Sequence, residues 1–369
     1  MLRKLRQKID KRLRRLQRLL QVMVFCRRLF PGGSRAYLQA VVRGYRLYRR
    51  GGFMPEESFR LGLLTDPARD SCRFISKKLW CRLQNRLNPV DWRFLVHDKG
   101  IFYRNCLAMK IPVPELFAIY FRNGAGWAAP ARSLCGDQEW QLVLNRHLPA
   151  EFFIKPATGT YSRAIHLFRR DGEGFRDFFG QFFLAEDIVT WMQGEARYDS
   201  FVLQARLNNH PDLIRLSATD SLQTVRIITL LDDQGQCRIL HAHFKPIIDA
   251  SLTDTRLDGL EGNVEAAVDL ETGRLIAANR ISGSGAGIEE IAAHPATGKV
   301  FCGFPLPLWE DACRLVTSVA PKFLPMRSIG WDVALTPRGP VIVEGNSCWD
   351  PPNQHYCVPA LARELDSCF

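Results

Sequence analysis

The chain has 369 residues, 46% of them hydrophobic, enough for one large domain or two smaller ones with real cores. Its eleven cysteines form neither a CxxC pair nor zinc-ligand spacing, and an odd, scattered set fits a reducing compartment better than a disulfide framework. The net charge of +12 is lopsided: residues 1–50 hold 16 Lys/Arg against the single acid Asp10, a net of +15 that leaves the rest of the chain at −3.

In that basic arm Leu2, Leu5, Ile9, Leu13, Leu16 and Leu20 recur every three or four residues, one face of an amphipathic helix. Such a helix, over residues 1–25, lies on an anionic membrane or grips an acidic partner. Alternatively it packs on the main domain with a solvated basic face. No nucleic-acid motif accompanies the arm and the body is slightly acidic, which argues against nucleic acid as a partner. No apolar run approaches the roughly 18–20 residues that span a bilayer. The start, Met1-Leu2-Arg3-Lys4, leads into no long apolar stretch, so a cleaved secretory signal is not expected. The expected location is cytoplasmic, with membrane association through the arm.

Residues 55–95 read as irregular helices. Asp98 caps a helix over Lys99 to Met109, after which Ile111-Pro112-Val113-Pro114 forces extended chain. Strands follow at Glu151 to Ile154 and Ala164 to Phe168, then a helix around Phe178 to Gln193. From residue 200 the pattern turns to antiparallel sheet: "SFVLQARL", "LQTVRIITLL" and "CRILHAHFKP", the last two joined by Asp232-Asp233-Gln234-Gly235. "VEAAVDLETGRLIAANR" is a hairpin turning at Glu271-Thr272-Gly273, and Trp309 to Ala320 reads as a helix.

The last hairpin, "IGWDVALTPRGPVIVEGN", places an acid in one strand and an acid plus an amide at the end of its partner. With the turn near 337–339, Asp332 pairs approximately with Glu344, and Asn346 lies two residues on, along the same face. Carboxylates so close repel unless a cation sits between them, and an all-oxygen set suits Mg²⁺. The plainer alternative is a pair of strand-end acids in solvent. Lys155 follows the apolar strand Phe152-Phe153-Ile154 and precedes the small residues Ala157-Thr158-Gly159-Thr160, a loop able to bring N–H groups and a point charge to phosphates. A lysine beside a turn is otherwise simply solvated. His241 and His243 alternate on one strand without an evident third metal ligand and read as ordinary strand histidines. Asn263, after Gly262, is a candidate for a loop over a nucleotide or a plain Asx-Gly turn. Trp331 and Trp349 read as packing residues.

These segments, with "HDKGIFYRN", "FFIKPATGTYS", "VLQARLNNHPDL" and "SLQTVRIITLL", resemble in their order the ATP-grasp superfamily over about 98–350, typified by D-alanine–D-alanine ligase and glutathione synthetase. They are most similar to the sugar-transfer-associated ATP-grasp group. The resemblance implies an α+β fold in which two α+β subdomains clasp ATP, behind a mainly helical basic N-terminal region. The expected divisions are an arm at 1–50, a helical region at 51–97 and an ATP-grasp domain at 98–369, itself split into 98–205 and 206–369. Lys99 and Lys155 would hold phosphate oxygens of ATP, with Thr158, Gly159 and Thr160 as the phosphate loop. Gln204, Ala205 and Leu207 (with Arg206 between them) would face adenine. Asp332, Glu344 and Asn346 would hold two Mg²⁺ ions, with Mn²⁺ able to substitute.

One departure stands out. The ligases carry an arginine two residues before the metal aspartate, and this chain has Gly330 there. Arg226 or Lys245, on inward-facing strand positions, would replace it as the catalytic cation; each is otherwise a charge at a sheet edge. The implied reaction is ATP-dependent joining of a small-molecule carboxylate to an amine through an acyl phosphate, in polysaccharide or secondary-metabolite biosynthesis. Phosphorylation of a hydroxyl on the same fold, and a non-catalytic membrane-attached scaffold, are the alternatives.

Overall fold

The computed structural model describes residues 2–32, 35–66, 68–159, 163–249, 251–254, 264–352 and 358–367. The chain forms two compact units: Met1–Gln84 with Asn279–Glu290 and Asp350–Phe369, and Asn85–Ala278 with Ile291–Trp349.

The first unit opens with α1 (Leu2–Leu29) and α2 (Arg35–Gly51), which pack on one another. Gly44 permits the close approach: a Cβ there would lie 3.0 Å from Val22 and 3.1 Å from Leu64. Val22, Cys26, Ala40, Leu47, Phe53, Leu63 and Leu64 form the shared core. Helix α3 (Pro55–Arg60) is capped by Glu57, whose carboxylate accepts the N–H of Met54 at 3.2 Å and of Lys77 at 2.6 Å, where α4 (Lys77–Leu87) begins.

In the second unit α5 (Phe94–His97) leads to α6 (Lys99–Ala108), started by Asp98, whose carboxylate accepts the Ile101 N–H at 2.9 Å. Next come β1 (Leu116–Phe121), β2 (Gly126–Ala128), β3 (Arg132–Leu134), α7 (Asp137–Arg146), β4 (Glu151–Pro156), β5 (His166–Asp171), β6 (Gly174–Asp177), β7 (Phe182–Phe183), α8 (Ala185–Gly194) and β8 (Ser200–Ala205). These strands form one antiparallel sheet in the order β3-β2-β1-β8-β4-β5-β6-β7. Phe152, Ile154, Phe168, Phe201 and Leu203 on one face are covered by Trp140, Val143 and Leu144 of α7 and Ile188, Val189 and Met192 of α8. Strand alternation turns Lys155 and Gln204 to the opposite face.

The helix expected over 178–193 begins only at Ala185. The Asp177 carboxylate accepts the N–H groups of Phe179 and Gln181, both at 2.9 Å, and so folds that stretch into a turn between β6 and β7. Asp187 then accepts the Leu184 N–H at 2.8 Å, which sets the true helix start.

After α9 (Pro211–Ser217) the chain builds β9 (Thr224–Leu231), β10 (Cys237–Phe244), β11 (Val264–Val268), β12 (Leu275–Ile281), β13 (Ile288–Ile291), α10 (Trp309–Val319), β14 (Ser328–Thr336) and β15 (Gly339–Asn346), with α11 (Val358–Asp366) last. The second sheet runs β13-β12-β11-β10-β9-β14-β15. Val225, Ile227, Ala242, Phe244, Trp331, Val333 and Ile342 share a core with Ala312 and Val316 of α10. The alternate residues of the same strands make a polar second face, described next.

Buried Asn88 fastens the last hairpin. Its Nδ2 donates to the carbonyls of Ser328 and Ser347 at 2.6 and 2.7 Å, and its Oδ1 accepts the N–H groups of Arg327 and Ser328 at 3.0 and 3.1 Å.

Candidate functional site

The register of β14 on β15 is Thr336 with Gly339, then Leu335 with Pro340, Ala334 with Val341 and Val333 with Ile342. Beyond a bulge it continues as Asp332 with Glu344 and Gly330 with Asn346. Val343 is the extra residue. Without the bulge Glu344 would face the core instead of joining Asp332, since a one-residue slip exchanges the two faces of a strand. Across the sheet Asp332 also pairs with Arg226 of β9, which pairs with His243 of β10. The polar face therefore carries Glu344, Asp332, Arg226 and His243 in one row, with Asn346 and Lys245 close by.

Asp332 is 4% exposed and lies between two cations. Arg226 donates to it through Nε and Nη2, the latter at 2.8 Å, and Lys245 Nζ lies 3.2 Å from Oδ2. Lys245 also pairs with Asp254 at 3.3 Å, and Asp254 accepts the Thr224 N–H at 3.0 Å. Burial alone would raise the Asp332 carboxyl, but Arg226 and then Lys245 overcome it and hold the group below the usual carboxylate range. Burial likewise works against the charge on Lys245, and Asp254 and Asp332 outweigh it, so its pKa is raised. Arg226 leans over Gly330, where a Cβ would lie 3.1 Å from its Cδ and 3.0 Å from Trp349.

Lys155 is different. It is buried, and among the described residues no carboxylate lies within ion-pair distance. Its Nζ donates to the Tyr103 hydroxyl at 2.8 Å, and that hydroxyl donates to the Val343 carbonyl at 2.8 Å, at the residue set aside by the bulge. Burial, with Lys99 adding repulsion, pushes the Lys155 pKa down to about 7. Lys99, the first residue of α6, donates to the Gly159 carbonyl at 3.3 Å and lies 3.9 Å from Glu344. Asn346 Nδ2 donates to Glu344 and to the Gly330 carbonyl, both at 3.3 Å. Thr158 is exposed, and Gly159 packs against Pro156 at the end of β4. Thr160 and Asn263 lie outside the described residues.

Gln204 lies on the same face of β8 as Lys155 on β4. It is 5% exposed and its Oε1 has no hydrogen-bond partner among the described residues. A buried acceptor left in this state fits a ligand that brings an N–H donor. Ala205 ends the strand, its N–H donating to the Glu115 carbonyl at 2.9 Å, and Leu207 follows in the connecting segment. Arg206 is tied to Glu151 and Asp220, which makes it part of a surface ion-pair network.

Sequence reasoning missed two members of this arrangement. Tyr103 is four residues after Lys99, on one face of α6, and that spacing was a usable signal. Asp254 gave none, because its partners Lys245 and Thr224 come from other strands. His243 lies within the polar row, buried, with Nδ1 unpartnered; burial, then His241 and the nearby cations, hold its pKa well below the ordinary value. Trp331 and Trp349 are packing residues, their indole N–H groups donating to Thr229 at 2.9 Å and Ser328 at 3.2 Å. Among the described residues no group of three His, Cys, Asp or Glu has a metal-holding arrangement. The oxygen donors at the end of the hairpin are Glu344 and Asn346, with Asp332 already compensated by cations.

A family model described as sugar-transfer associated ATP-grasp matches residues 79–353. No curated protein matches the sequence. Among solved structures the chain is similar to the ADP complex of N5-carboxyaminoimidazole ribonucleotide synthetase, at 10% identity and a TM-score of 0.38 over 70% of this chain and 46% of that one. It is similar to an L-amino acid ligase from Bacillus licheniformis, at 11% identity and 0.37 over 74% and 50%. A third is D-alanine–D-alanine ligase from Bacillus anthracis, at 10% identity and 0.38 over 74% and 68%. The chain spans about half the length of the first two.

Proposed function

The chain belongs to the sugar-transfer associated ATP-grasp family, and from that premise we propose that it is an ATP-dependent ligase joining a small-molecule carboxylate to an amine. The observation that carries this reading is Lys155: a buried ammonium beside Lys99, with no carboxylate of its own, is a site made for an external anion. A polyphosphate meets that need and lies within reach of the backbone at 157–159. The orphaned Gln204 Oε1, on the same face, takes an amino donor from the base.

In the reaction the carboxylate oxygen attacks the γ-phosphorus and the bond to the β-bridging oxygen breaks, giving ADP and an acyl phosphate. The amine then attacks the acyl carbon, phosphate leaves and the nitrogen loses a proton. Arg226 holds Asp332 through Nε and Nη2, so Nη1 remains to steady negative charge on the acyl oxygen. Lys245 keeps Asp332 in place. Lys99 and Lys155 orient the phosphates. Glu344 and Asn346 would hold Mg²⁺, which when bound would neutralise phosphate charge, while Asp332 beside them is occupied by Arg226 and Lys245.

The test is ADP release from the full chain screened against pools of carboxylates and amines, with mass analysis of products. An amide with stoichiometric ADP and phosphate supports the ligase. A stable phosphoester would mark hydroxyl phosphorylation instead, and no nucleotide turnover with any pool would leave a scaffold.

A further inference from the structure

Helices α1 and α2 each carry two apolar faces. The inner one, with Val22 and Cys26 on α1 and Ala40 and Leu47 on α2, is buried in the shared core. The outer one is not covered: Leu13, Leu16, Leu20 and Val24 are 52%, 58%, 59% and 55% exposed, and Leu38 and Val42 are 61% and 50% exposed. The steps from Leu20 to Val22 and from Leu38 to Ala40 each turn a helix by about 200°. The outer stripes therefore point away from the core that the helices share. Large aliphatic side chains recurring every three or four residues in solvent are not the scattered apolar residues of an ordinary surface.

Cations continue these stripes. Exposed Arg27 and Arg28 follow Val24 by three and four residues; exposed Arg35 precedes Leu38 by three, and Arg46 and Arg49 follow Val42 by four and seven. No acid occurs between Asp10 and Glu56. We propose that this helix pair docks the protein on an anionic phospholipid surface, with the outer leucine and valine stripe in the acyl boundary and the flanking arginines on lipid phosphates. The chemistry favours lipid over a folded partner, because the stripe is mainly aliphatic and flanked by arginines, and half-buried Tyr45, three residues after Val42, is an amphipathic ring of the kind that sits at headgroup level. Like charge opposes a second copy, since two arms of net +15 would face each other. No helix among the described residues is long and apolar enough to cross a membrane, so the pair would lie on the surface.

The full chain should sediment with vesicles of equimolar phosphatidylcholine and phosphatidylglycerol, not with phosphatidylcholine alone, and salt should release it. Leu16→Gln with Leu20→Gln should weaken vesicle binding about tenfold or more, the scale of losing two leucines from an apolar phase. Arg46→Glu with Arg49→Glu should abolish it. All four side chains are exposed, so the melting temperature should not move, and the outcome is independent of the ATP chemistry. Equal sedimentation with neutral vesicles, none with either, or undiminished binding by the leucine variant overturns the proposal. So does a vesicle-free dimer that the leucine variant dissociates.

Discussion

The two sheets of the second unit handle buried charge in opposite ways. On the seven-stranded sheet Arg226 and Lys245 are matched by Asp332 and Asp254 within the protein itself. On the eight-stranded sheet Lys155 has among the described residues only a neutral phenol, Tyr103, as its hydrogen-bond partner. The first arrangement is complete in the free protein, and breaking it leaves a stranded charge. The second leaves Lys155 without a matching carboxylate among the described residues, which is where we propose that nucleotide phosphate binds. The difference separates a cation that holds the site together from one proposed to recruit a ligand.

The sharpest way to break the contrast is to remove a counter-charge. Asp332→Asn leaves Arg226 and Lys245 facing a neutral amide and should lower stability by about 3–5 kcal/mol, read as a fall in melting temperature. Glu344→Gln, at a half-exposed position, should abolish nucleotide turnover with the melting temperature kept. If Asp332→Asn melts like the parent, the matched group is not self-sufficient.

Removing the unmatched charge should do the reverse. Lys155→Met should raise the melting temperature of the nucleotide-free protein while weakening nucleotide binding by about 1–3 kcal/mol, measured by calorimetry. A destabilised variant would show that Lys155 is compensated after all.

Protonation offers a gentler probe. Burial and the Lys99 charge push Lys155 down to about 7 from the ordinary lysine value of 10.5, so between those values the unfolded chain holds a proton that the folded chain has lost. Stability of the free protein should therefore rise with pH through that window, and Lys155→Met should remove this contribution. Nucleotide binding above pH 7 should take up a proton, seen as a binding enthalpy that depends on the ionisation enthalpy of the buffer. Indifference to buffer would remove Lys155 from the phosphate site.

The smallest effect belongs to Tyr103→Phe. It deletes one neutral acceptor from Lys155 and one donor to Val343, and nucleotide affinity should fall by about 1 kcal/mol.

Much of this was legible in the chain because it is local. Turn residues near 337–339 announce the last hairpin and Asp98 announces α6 as its cap, but with Thr336 paired to Gly339 strict alternation would set Val343 opposite Asp332, and only the bulge brings Glu344 there. Alternation also puts Arg226 and Lys245 on the face of Asp332. What escaped is what depends on distant partners. Nothing near Val343 foretells a bulge whose freed carbonyl takes the Tyr103 hydroxyl, and nothing near Asp254 foretells Lys245. The stretch 178–183 resembles a helix in its apolar content, yet Asp177 turns it with two side-chain bonds that a periodicity count does not see. The exposure of Leu16 and Leu20 depends on which helical face α2 and the residues after it cover, and no reading of α1 by itself decides that.

Asn88 carries a consequence for which sequences can occupy this fold. Its amide spends both donors on two carbonyls and its oxygen accepts two N–H groups, all inside the protein. Aspartate at that place would aim a carboxylate at two carbonyls, leucine would take the side-chain partner from the Ser328 N–H and from the carbonyls of Ser328 and Ser347, and glutamine would overshoot by a methylene. Position 88 thus tolerates one letter of the twenty, and it is a letter spent on holding the hairpin's two ends rather than on chemistry. A chain drifting freely over most of its surface would still have to keep it.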